Sequence, residues 1–111
     1  MKFVPRLSAL IVTLLLCGPA IAHTPVCRCE LTGSDITCTG QFHDGSAANG
    51  IAMTVLDYDN TILVNDKLDK QSRLQFPLPK QPFYIIMDAG PGEMFEVDWK
   101  DIKGLPPSTY P

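Results

Sequence analysis

The sequence predicts an all-β protein, a small antiparallel β-sandwich of about seven strands. Three observations predict it. Short runs rich in β-branched and aromatic residues recur between turn signals at even intervals. Several of these runs alternate apolar with polar residues, the period of a strand buried on one face. Nowhere does an apolar stripe recur at helical spacing over three turns.

The first 22 residues stand apart from that pattern. Lys2 and Arg6 give a positive start, Leu7 to Cys17 an apolar run, and Ala20-Ile21-Ala22 a small-residue cleavage site. Together they predict an export signal, cut between Ala22 and His23. The apolar run is too short to span a bilayer, which takes about 20 residues. Lipidation at Cys17 is disfavoured, because Leu16 stands where a lipoprotein leader carries a small side chain. The exported chain is then residues 23–111, expected to be periplasmic or secreted, with no transmembrane segment after cleavage.

The strands follow in order. Val26 to Leu31 and Ile36 to Phe42 flank the turn Thr32-Gly33-Ser34-Asp35. A turn centred on Gly33-Ser34 pairs Leu31 with Ile36 and Cys29 with Cys38, and directly opposed residues are close enough for a disulfide. Cys27 lies one diagonal step away on the same face, so Cys27–Cys38 is the alternative bond and Cys27 the expected odd thiol. His43 to Gly50 is a polar connection. Ile51 to Asp57 alternates, Tyr58-Asp59-Asn60 turns, and Thr61 to Val64 is the next strand. Asn65 to Ser72 reads as a charged turn and Arg73 to Phe76 as a short strand. Phe83 to Met87, entered by Pro82 and ended by Gly90-Pro91-Gly92, has apolar residues on both faces. It predicts a central strand covered on two sides. Met94 to Trp99 alternates as the last strand. The sandwich should occupy residues 23–103, and the proline-rich stretch 104–111 should be a disordered tail.

Removing Lys2 and Arg6 with the leader leaves seven basic against twelve acidic side chains, a net charge of −5. That balance argues against nucleic acid and anionic membrane as partners. Three cysteines remain in a compartment that allows disulfides, so one is unpaired. Asp57, Asp59 and Asp66 lack calcium-loop spacing. No helix follows the Gly-Pro-Gly turn to hold a phosphate. No Ser, His and carboxylate set surrounds a nucleophile turn, so the expectation is a non-enzymatic protein.

Two resemblances extend this reading. Gly50-x-x-Met53-x-Val55-x-Asp57, Thr61-Ile62-Leu63, the acidic turn at Asp69, Leu74-x-Phe76-x-x-Pro79 and Phe83-Tyr84 resemble a carboxypeptidase-regulatory-like module. The resemblance implies an Ig-like, transthyretin-like sandwich. More narrowly, His23-Thr24, Cys27-x-Cys29, Cys38, Asp44-Gly45-Ser46 and Asp88-Ala89-Gly90-Pro91-Gly92 are similar to small periplasmic accessory proteins of nickel and cobalt importers. This implies a transition-metal cargo and a metal-importer membrane complex as partner. Such relatives are expected to carry a histidine after the Gly-Pro-Gly turn; this chain has Glu93 there.

The chemistry then centres on His23. As a first residue it would offer both an α-amine and an imidazole to one ion. Pro25 lacks an N–H, so successive backbone amides cannot complete the shell. Cys27, His43, Asp44 and Glu93 are the further candidate metal ligands, with Cys29–Cys38 as the structural disulfide. Nitrogen and sulfur donors suit nickel or cobalt, or copper, rather than calcium or magnesium. A His23–His43 copper brace is the enzymatic alternative. A metal-free module that docks another envelope protein through a sheet edge or the proline-rich tail is the alternative among binding proteins.

Overall fold

The computed structural model describes residues 24–111; the expected leader, its cleavage site at Ala22 and His23 lie outside the described residues. Seven strands follow: β1 (Pro25–Thr32), β2 (Asp35–Phe42), β3 (Ala52–Asp57), β4 (Ile62–Lys67), β5 (Arg73–Pro77), β6 (Phe83–Asp88) and β7 (Met94–Asp98). They form two sheets, β1-β2-β5 and β4-β3-β6-β7, with antiparallel pairing throughout. The protein is a small Ig-like β-sandwich. One 3₁₀ turn, Trp99–Asp101, follows β7.

The first hairpin forms where turn chemistry puts it. Gly33 has φ 67°, which only glycine adopts readily, and it sits at the first central position of a two-residue turn. Leu31 pairs with Ile36 and Cys29 with Cys38, the register that this turn predicts. β6 is central, hydrogen-bonded to β3 on one side and β7 on the other. Its expected cover on two faces is corrected. Phe83, Ile85 and Met87 are fully buried between the sheets, whereas Tyr84 and Ile86 are half-buried on the outer face. A two-layer fold covers one face of each sheet. Ile86 is flanked in the sheet by Thr54 and Glu96.

β4 is longer than its sequence pattern. Asn65 and Asp66 pair with Thr54 and Met53 instead of forming a turn. This is an edge strand, and its polar residues blunt an edge that would otherwise recruit a further strand. Glycine is required in the core at Gly40 on β2. A Cβ built there would lie 2.6 Å from Leu68 Cδ1 and 3.2 Å from Met87 Cε, so these side chains fill the space over a bare Gly40.

The stretch 104–111 corrects the expectation of a disordered tail. Leu105 is buried in the core. The Tyr110 ring packs edge-on against Trp99 and Phe83, at centroid distances of 5.0 and 6.3 Å. Its hydroxyl donates to the Pro79 carbonyl at 2.5 Å. Just before this strap, the Lys103 amide donates to Cys29 O and the Leu31 amide to Lys103 O, covering part of the β1 edge.

Candidate functional site

One group of chemistry-bearing residues lies at one end of the sandwich, and a second lies within the first hairpin. Strand polarity fixes that end. The start of β1, the end of β2, the start of β3 and the end of β6 all converge there, since Pro25 pairs with Phe42 and Ala52 with Asp88. The loops at this pole interlock: Gly40 N donates to Ser72 O, Gly50 N to Leu68 O, and Ala48 N to Ser72 Oγ.

The described chain begins at this pole. The His43 amide donates to Thr24 O at 2.7 Å, which extends the β1–β2 ladder one step outward. The His43 side chain is exposed. Asp44 is engaged in its own turn, its Oδ1 accepting from the Ser46 amide at 2.9 Å and the Ser46 hydroxyl at 2.6 Å. Glu93 closes the β6–β7 turn at the same end: Ala89 N donates to Glu93 O, and Glu93 N to Gly90 O. That turn follows Asp88, the partner of Ala52, so the polypeptide brings His43, Asp44 and Glu93 to one pole from two separate stretches. They do not converge into a close donor set of three among the described residues.

The convergent set is a different one. Cys27, Cys29 and Cys38 have their sulfurs within 4.8 Å of one another, and all three are buried. Cys29 and Cys38 are disulfide-bonded, as the register predicts, with Cα atoms 4.0 Å apart. Cys27 is the free thiol, and its S–H points at Cys29 Sγ at 3.8 Å. Burial pushes its pKa up to about 11, because a thiolate there would be poorly solvated. Cys27 is therefore protonated and unreactive at neutral pH, and it stands apart from the pole donors with which the sequence grouped it. A signal for this cluster exists in the sequence. Cys27 and Cys29 are two apart on a strand and so share a face, opposite Cys38.

A cleft of about 660 Å³ runs between β1 and β7, past Cys27 and Cys29, with Arg28, Glu96, Phe95 and Lys103 also on its walls. Nothing in the sequence pattern announces it, since it arises where two sheet edges face each other. At the opposite pole, Asp57 organises the β3–β4 turn rather than a calcium site. Its Oδ1 accepts from the Thr61 and Asp59 amides at 2.8 and 2.9 Å, and its Oδ2 from Gln81 at 3.4 Å. The Thr61 amide above all holds this carboxyl below the ordinary carboxylate range. No helix among the described residues is long and apolar enough to cross a membrane.

No family model matches the chain, and no curated protein matches it. Among solved structures it is similar to a native alpha-2-macroglobulin fragment from Escherichia coli spanning domains NIE to MG1. The superposition has a TM-score of 0.63 at 18% identity, covering 70% of this chain and 38% of the other. At that identity the likeness is one of fold, a small Ig-like sandwich embedded in a longer chain.

Proposed function

We propose that the exported protein is a non-enzymatic accessory domain that holds nickel or cobalt, or copper, at its N-terminal pole and presents the ion to an uptake system. His23, freed by cleavage after Ala22, supplies the amine and imidazole. His43 completes the shell, with Asp44 and Glu93 as further donors on the same pole. The observation that carries this reading is the 2.7 Å bond from the His43 amide to Thr24 O. It brings the residue directly after His23 against the residue that bears the second imidazole. The disulfide is compatible with an oxidising compartment outside the cytoplasm.

The test is calorimetry with nickel, cobalt and copper(II) on the exported protein, on His23→Ala, on His43→Ala and on a variant with one residue added before His23. Each change should weaken binding by at least ~10-fold, as loss of a direct ligand does. Equal affinity in all four, or N-terminal sequencing that finds the exported chain starting elsewhere, removes the reading.

A second reading has one observation in its favour. Lys103 bridges the β1 edge at Cys29 and Leu31, and the cleft beside it presents the β7 edge, the geometry at which an extended segment of another envelope protein adds as a strand. It predicts no metal copurifying and a crosslink formed from β7 residues such as Glu96.

A further inference from the structure

We propose that reduction of Cys29–Cys38 converts Cys27, Cys29 and Cys38 into a three-thiolate site for one thiophilic d¹⁰ ion, cuprous copper or zinc.

The geometry is already close to that of a site. Two sulfurs bound to one ion at about 2.3 Å, at a tetrahedral angle, stand roughly 3.8 Å apart. Cys27 and Cys29 stand 3.8 Å apart in the folded protein, and all three sulfurs fall within 4.8 Å of one another. The Cys38–Cys29 separation must grow when their bond is cut, and Cys27 and Cys38 already stand within 4.8 Å of each other. The backbone holds the three positions independently of that bond, since Cys27 pairs with Gly40 and Cys29 with Cys38 in a ladder continuous from Pro25 to Thr32. The donor set is entirely sulfur in an apolar interior, which selects soft ions over calcium, magnesium or manganese. The cleft supplies the route, as Cys27 and Cys29 are on its wall. Arg28 and Lys103 stand on the same wall together with Glu30, Glu96 and Asp101, so the bound ion itself must offset the charge that the thiolates bring.

The chemistry balances with a dithiol reductant. Two electrons and two protons pass from the dithiol to Cys29 and Cys38, and the dithiol leaves as its own disulfide. The ion then displaces the thiol protons, up to three, as it binds. The oxidised protein keeps a single buried thiol and no site, so metal loading follows the redox state.

The experiment reduces the exported protein anaerobically, removes the reductant and titrates with cuprous copper against a chromophoric chelator, with zinc in a parallel arm. Cobalt(II) serves as a spectroscopic probe for sulfur-to-metal charge-transfer bands. The reduced protein should bind one equivalent more than the oxidised protein, which has no site at these sulfurs. Cys27→Ser should weaken binding at least ~100-fold, the upper end of what even an outer partner of a metal ligand costs. His23→Ala should leave this binding unchanged, so it fails or survives independently of the N-terminal reading. Should reduction loosen the fold, the ion must restore the native circular dichroism and the cooperative thermal transition. Binding without that restoration, equal affinity in the Cys27→Ser variant, or no sulfur-to-cobalt bands would each overturn the proposal.

Discussion

Cys27 illustrates how burial alone governs one side chain. Its pKa rises from an ordinary 9.0 to about 11, so the folded state holds the proton more tightly than the unfolded chain. The stability this contributes is fully present below pH 9 and is lost as pH rises from about 9 to about 11. Two units correspond to roughly 3 kcal/mol. Urea unfolding at pH 8 and pH 11 should show that much less loss for Cys27→Ala than for the parent protein. Gly40 makes a matching steric case. Gly40→Ala must displace Leu68, whose Cδ1 stands 2.6 Å from the new methyl position, and should cost about 1–3 kcal/mol in thermal unfolding. Asp57 shows the opposite sign to Cys27. Its carboxyl is held low by the Thr61 amide, so its contribution is present at neutral pH and lost as pH falls through that lowered value. The acid limb of the stability profile should flatten in Asp57→Asn.

The elements differ in how much of them the sequence spells out. The first hairpin was legible to the residue, because Gly33 fixes the turn and the turn fixes the register, including Cys29 opposite Cys38. Its disulfide closes a short loop, with a sequence separation of 9. Reduction should therefore lower unfolding stability by only about 2–3 kcal/mol, measurable in urea with and without a phosphine. The strand β4 and the C-terminal strap were not legible. Asn65 and Asp66 are polar because β4 lies at an edge, and a local pattern cannot report edge position. The strap reads as proline-rich disorder, since just Leu105 and Tyr110 carry its packing and they are five residues apart. Tyr110→Ala should cost about 2–4 kcal/mol, by removing two edge-on ring contacts and a half-buried hydroxyl bond. Limited proteolysis should then cut the strap while the strands persist.

At the scale of the whole molecule, the two sheets do what neither local pattern nor motif could specify. Their packing gathers His43, Asp44 and Glu93 at one pole, and their facing edges open the cleft between β1 and β7. They also bury Cys27 at 4% exposure, which turns a candidate ligand at the pole into a quiet thiol beside the disulfide. The expected leader and His23 lie outside the described residues, so the fold supplies the surroundings of the proposed chelate rather than the chelate itself.

The sequence by itself determined the class of fold, the approximate strand count and the first hairpin's register, which sets Cys29 opposite Cys38. Each of these depends on period-two alternation or on a glycine turn, which act between near neighbours. Tertiary structure decided which strands are edges, where Gly40 must be bare, that the tail is a packed strap, and that the hairpin's three sulfurs are buried. Those depend on contacts between residues far apart in the chain, whose energies arise only once the two sheets close on each other.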